Sequence, residues 1–239
     1  EKGYGGVDID FEYILAEDRD AFTAFVRKTA EAVRAAGGRL SVALAPKTSA
    51  DQKGLLYEGK DYRGLGEAAD QVLLMTYEWG YTYGPPMAVA PLNQVRRVVE
   101  YALTEIPASK IDLGIPNYGY DWPLPYERGV TKAVTIGNVQ AVRIAVEQGA
   151  EIEFDTLAES PYFRYSSQGT DHEVWFEDVR SLGAKFGLME EYGLHGCGYW
   201  QIMQWFRANW LLLQDLFYIE KEGTVPGTEG GLQSLTNGL

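Results

Sequence analysis

Three acids alternate with three apolar residues in the stretch GGVDIDFEYI, residues 5–14. Side chains of an extended strand point alternately to opposite faces. Asp8, Asp10 and Glu12 therefore share one face, about 6.6 Å between successive acids, and Val7, Ile9 and Phe11 take the other. One reading is an amphipathic strand with a solvated acidic face. A second is a row of carboxyls enclosed in a pocket, where mutual repulsion and lost hydration both favour protonation of at least one member. A proton-holding carboxyl at the C-terminal end of a strand can act as a general acid, and Glu12, last in the row, has the longest reach. A third reading is a set of hard oxygen ligands for Mg²⁺ or Ca²⁺. No His or Cys lies nearby to support it: His172, His195 and Cys197 are far along the chain. No metal and no cofactor is expected.

The elements that must position these acids alternate between strand and helix. Residues 6–14, 39–46, 71–78, 110–118 and 194–202 read as five main strands. Residues 18–36 read as a helix with Phe22, Phe25, Val26 and Val33 on one stripe and Asp18 or Asp20 as cap. Further helices are expected over 62–70, 91–106, 135–149, 178–193 and 205–222, the second opened by Pro91. Residues 150–177 are mixed, with strand-like pieces EIEFD and HEVWF. Residues 223–239 are rich in Gly and Thr and read as a flexible tail. The alternation predicts a parallel sheet with covering helices, and the pattern alone allows both a doubly wound sheet and a β/α barrel.

The chain has 239 residues, of which 34 are Asp or Glu and 21 are Lys or Arg, for a net charge of −13. That field disfavours nucleic acid and anionic membrane surfaces as partners. The single cysteine excludes an internal disulfide. No apolar run approaches the ~18 residues of a membrane helix. The chain opens at Glu1 directly before a strand signal, so the reading places its true N-terminus further upstream.

Four segments carry a family resemblance. GGVDIDFE resembles the signature strand D-G-x-D-x-D-x-E of family 18 glycoside hydrolases, the chitinase-like barrels. LLMTYEW (73–79) resembles that family's Met-x-Tyr-acid strand, LGIPNYGYDW (113–122) its Gly-x-Pro-x-Tyr-Gly strand, and GCGYWQI (196–202) its last strand, which ends in a tryptophan. The segments MTYEWGYTYGPPMAVAPLNQVRRVVEYA and EVWFED are similar to the spore-cortex and cell-wall branch of N-acetylglucosaminidases. Gly5 stands where the signature has its first acid.

The resemblance implies a partial (β/α)8 TIM barrel, strands 4 to 8 with their helices, and a small α+β insertion between strand 7 and its helix. Residues 1–222 would be the C-terminal part of that barrel, with the insertion near 123–177. About 90 residues, three βα units of roughly 30 each, would precede it. It implies cleavage of a polysaccharide of β-linked N-acetylglucosamine, in peptidoglycan, spore cortex or chitin, at an extracellular, cell-wall or spore location, with LysM modules upstream in the full-length chain. The alternative is a chitinase-like lectin that binds glycan without cleaving it. Glu12, Asp10 and Tyr77 would be catalytic. Asp8, Met75, Glu78, Asn117, Tyr118 and Trp200 would bind substrate. The loop aromatics Trp79, Tyr81, Tyr83, Trp122 and Tyr126 would serve either sugar stacking or packing.

Overall fold

The computed structural model describes residues 4–219. In chain order its elements are β1 (Gly6–Ile9), α1 (Arg19–Ala35), β2 (Arg39–Leu44), α2 (Tyr62–Ala68), β3 (Gln71–Leu74), α3 (Leu92–Leu103), β4 (Ile111–Pro116), β5 (Gly119–Leu124), β6 (Val134–Ile136), α4 (Asn138–Gln148), β7 (Glu153–Asp155), β8 (Ser160–Ser167), β9 (Thr170–Trp175), α5 (Val179–Tyr192), β10 (Gly196–Trp200) and α6 (Arg207–Leu216). The tail expected over 223–239 lies outside the described residues.

One sheet has the order β1-β2-β3-β4-β10, every neighbouring pair parallel. Its alternate residues Leu40, Val42, Leu44, Val72, Leu74, Leu113 and Ile115 are buried in one cluster with Val26 of α1, Leu65 of α2, Val99 of α3, Phe186 of α5 and Leu213 of α6. A period of two on the strands meets a period near four on the helices, where α1 buries Phe22, Val26 and Ala30. The helices thus cover one face of the sheet only, which excludes the doubly wound alternative. The register pairs Asp8 with Ser41 and Ile9 with Val42. Ile9 therefore joins the helix-covered face, and Asp8 looks to the other.

That other face corrects the expectation of an enclosed acidic row. Asp8, Asp10 and Glu12 are all exposed. Among the described residues β1 and β10 each pair with one strand, so no opposite wall closes over the acids. Phe11 and Phe25 are also exposed, although their rings stack with centroids 5.9 Å apart. Asp18 stands at the N-cap of α1 without a capping bond from its side chain.

Two strands are shorter than their sequence patterns. β1 stops at Ile9, the last residue in register with β2. β3 stops at Leu74, because Thr76 N–H turns back to the Leu74 carbonyl at 2.8 Å and Tyr77 N–H to the Met75 carbonyl at 2.9 Å.

A second, antiparallel sheet of order β6-β5-β9-β8-β7 lies in the chain between β4 and α5. α4 packs on it through Ala141 and Ala145, against Phe163, Val174 and Phe176. The chain re-enters the first unit at α5, whose N-cap Asp178 forms a reciprocal capping box with Ser181. There the Lys185 ammonium meets the Glu177 carboxylate at 2.8 Å, both side chains fully buried.

Gly114 on β4 lets its neighbours close. A Cβ there would sit 2.2 Å from the Leu74 carbonyl oxygen and 2.9 Å from the Tyr77 ring. Gly114→Ala is expected to lower unfolding free energy by about 1–3 kcal/mol through overpacking. Urea denaturation of the variant and the parent measures the difference.

Candidate active site

A cavity of about 640 Å³ opens where the strands end. Asp10 and Glu12 reach it from the loop after β1, Met75, Tyr77 and Glu78 from the turn after β3, and Trp200 from the end of β10. These six residues of the sequence reading share one wall. The C-terminal mouth of parallel strands is where β/α barrels gather side chains from several strands. Sequence reasoning missed other members of the lining. Tyr13 follows Glu12 directly, while Leu56 and Tyr57 come from the long loop between β2 and α2. Only the adjacency of Tyr13 to the acidic row carried a signal.

Three expected contacts are corrected. Asp8 does not line the cavity; its carboxylate takes a short hydrogen bond from the Ser41 hydroxyl on β2. Asn117 is buried, 1% exposed, and works through the backbone instead. Its N–H donates to the Trp200 carbonyl at 2.8 Å and its side-chain amide to the Gln204 carbonyl at 2.6 Å, so it holds the segment that carries Trp200. Tyr118 is also buried, and its hydroxyl donates to Glu78 Oε1 at 2.8 Å. None of the three lines the opening.

Glu78 is held unusually. Its φ is 67°, in the left-handed region that a non-glycine residue occupies at a cost of about 1–3 kcal/mol. Tyr118 and Tyr120 both donate to the same oxygen, Tyr120 at 2.7 Å. Burial, then the Glu78 carboxylate, raises the proton affinity of both phenols, that of Tyr120 to about 12. Both remain donors at neutral pH. Tyr77 behaves alike: burial first, then Asp10, Glu12 and Glu78, push its ionisation well above the ordinary phenol range. Its O–H is a neutral donor set among carboxylates.

The loop aromatics divide. Tyr81 lines the cavity and Trp200 is 54% exposed, as a stacking platform requires. Trp122 is fully buried and donates to the Gly84 carbonyl at 2.8 Å. Tyr126 donates to the Tyr83 carbonyl at 3.0 Å. His195 meets Asp112 at 2.8 Å beside the start of β4, at the opposite end of the strands. His172 meets Asp121 at 2.8 Å in the second sheet. Among the described residues no three His, Cys, Asp or Glu side chains converge as a metal cage, and no helix is long and apolar enough to cross a membrane.

A one-sided parallel sheet with acids, a phenol and a tryptophan at its C-terminal mouth has the layout of a β/α-barrel active site. The model of glycosyl hydrolases family 18 matches residues 1–204, and the chain belongs to that family. It is 49% identical over 221 residues to the cortical fragment-lytic enzyme of Bacillus subtilis (strain 168), covering 92% of this chain and 51% of that one. The crystal structure of the Bacillus cereus spore cortex-lytic enzyme SleL superposes with a TM-score of 0.89 at 42% identity, over 92% of this chain and 51% of that one. A chitinase from Chromobacterium violaceum superposes with a TM-score of 0.83 at 29% identity, over 89% of this chain and 66% of that one. The first sheet is thus a parallel part of a (β/α)8-type barrel. The chain spans about half the length of the curated relatives it matches.

Removing one of the two donors to Glu78 tests how firmly the site holds it. Tyr118→Phe and Tyr120→Phe are each expected to lower stability by about 1–2 kcal/mol, since the acceptor is charged but solvent-accessible. The double variant should lose more than the sum, because the two phenols compete for one oxygen and each partly makes good the loss of the other. A double-mutant cycle in chemical denaturation reads this directly.

Proposed function

We propose that this chain is the C-terminal part, residues 1–222, of a family 18 barrel that hydrolyses β-linked N-acetylglucosamine glycans with retention of configuration. The antiparallel sheet between β4 and α5 would be the barrel's insertion. What carries the reading is one juxtaposition: Asp10, Glu12, Tyr77, Glu78 and Trp200, from three strand ends, line a single cavity.

In this reading Glu12 protonates the glycosidic oxygen. The carbonyl oxygen of the substrate's own 2-acetamido group attacks the anomeric carbon and displaces the leaving sugar, forming an oxazolinium ion. Glu12 then takes a proton from water as that water opens the ring, so both inversions cancel. Asp10 accepts from the acetamido N–H and offsets the positive charge that develops. Tyr77, a neutral donor, bonds the acetamido oxygen. Asp8, tied to Ser41, supports Asp10 from behind. Glu78 accepts from a sugar hydroxyl, Met75 packs beside the acetamido methyl, and Trp200 forms the floor under the ring.

The substrate class follows from the relatives' printed names, which describe lysis of spore cortex. Spore-cortex peptidoglycan is therefore the proposed polysaccharide. The location would be extracellular, at the wall or spore, with LysM modules elsewhere in the full chain.

The test uses the full-length protein on cortex fragments and N-acetylglucosamine oligosaccharides. Wild type should release reducing ends of retained anomeric configuration, read by proton NMR within the first turnovers. Glu12→Gln should lose about 10²–10⁴-fold in kcat with KM little changed. A Glu12→Gln variant with unchanged turnover would refute the assignment. Binding of the oligosaccharides without hydrolysis by wild type would instead establish the lectin alternative.

A further inference from the structure

Lys60, in the loop between β2 and α2, is 1% exposed. Its Nζ donates a short hydrogen bond to the main-chain carbonyl of Phe11, the residue directly before Glu12. The same ammonium lies 4.5 Å from the centre of the Phe22 ring on α1. The loop is seated hard against the segment after β1: a Cβ on Gly59 would come within 2.2 Å of the Ile14 carbonyl oxygen. Lys47, itself buried, holds the loop from the other side by donating to the Lys60 carbonyl at 3.2 Å.

A buried ammonium carries a large desolvation penalty. A methionine of similar length would occupy the same buried position without one. The charge is therefore retained for something other than packing, and the groups it acts on are the carboxylates of Asp10 and Glu12. We propose that Lys60 is a positioning residue for the cavity's acids: it grips the Phe11 carbonyl, fixes the Phe11–Glu12 peptide and holds a buried positive charge near Asp10 and Glu12. The inference rests on the reading of Glu12 as the proton donor.

The electrostatics support a charge kept at the fold's expense. Burial lowers the Lys60 proton affinity to about 8, against the opposing pull of Asp10 and Glu12. The facing groups are those two acids from the loop after β1, the uncharged Phe22 ring from α1, and Lys47 on the loop's far side. The unfolded chain keeps this proton to about pH 10.5, the folded chain only to about 8. Between those values the unfolded state binds more protons, so the contribution of Lys60 to stability rises with pH. Its charged form, present below about 8, is the less stable one for folding.

The deciding experiment compares full-length wild type, Lys60→Met and Lys60→Arg in kcat, KM, pH profile and thermal unfolding, on N-acetylglucosamine oligosaccharides. Lys60→Met should lower kcat about 10–100-fold, the scale of a small misplacement of a reacting group. Its KM should stay within about threefold and its unfolding midpoint at pH 7 should equal or exceed wild type. Wild-type kcat should fall as pH rises through about 8, and Lys60→Arg, whose guanidinium stays charged, should carry activity to higher pH. Wild-type kcat in Lys60→Met overturns the proposal, as does a loss that follows a lower unfolding midpoint or a failure to fold. So does a Lys60→Arg profile that superimposes on wild type. If wild type hydrolyses none of these glycans, the glycosidase reading fails separately. The Glu12 amide resonance then decides: a shift with midpoint near pH 8 in wild type and none in Lys60→Met supports the placement, and no shift in wild type overturns it.

Discussion

The cavity depends on burial restricted to one face of a parallel sheet. Leu40, Val42 and Leu44 on β2, with Val72 and Leu74 on β3, bury toward the helices and fix the pleat of both strands. Their intervening residues must then face the other way. A slip of one residue would send Ile9 to the open face and Asp10 into the apolar layer. Neither is tolerable, since an unpaired carboxylate among leucines costs far more than the strand can return. The direction of the acids at the cavity is therefore settled by leucines and valines that never approach it.

Alternation alone does not make a site; strand ends do. β3 leaves its ladder at Leu74, and two tight turns bring Met75, Tyr77 and Glu78 round to the same wall. The left-handed backbone at Glu78 is held in place by phenols from beyond β4. Tyr120 belongs to β5, so the antiparallel sheet takes part in the cavity through that carboxylate. The two units are joined at the place where chemistry would occur, and Asn117, between them, fastens the backbone of Trp200. Strain in one residue and order in its neighbours are two sides of the same arrangement.

Much of this was legible beforehand. The five parallel strands follow from periodicity, and Asp10, Glu12, Tyr77 and Trp200 follow from motifs that end strands. The misplacements have a common cause. Asn117 and Tyr118 adjoin a motif, and adjacency in sequence locates a residue near a site without telling which way it points. Asp8 shares a face with Asp10, yet two residues further from the strand end it meets Ser41 rather than the opening. Lys60 had no signal at all. A lysine in the run GKDY reads as a solvated loop charge, and only the close approach of Gly59 to Ile14 puts it inside. The exposure of Val7 likewise depends on which strands stand beside β1, and that is a fact of pairing rather than of local pattern.

The exposed tryptophan bears on how such a site could work. Trp200 offers an apolar platform in the same cavity as Glu12 and Asp10. A sugar ring seated on that platform displaces water from the acids as it binds, and the loss of water favours a neutral carboxyl. In the proposed reaction the substrate then supplies its own nucleophile and helps to dry the acid that serves it.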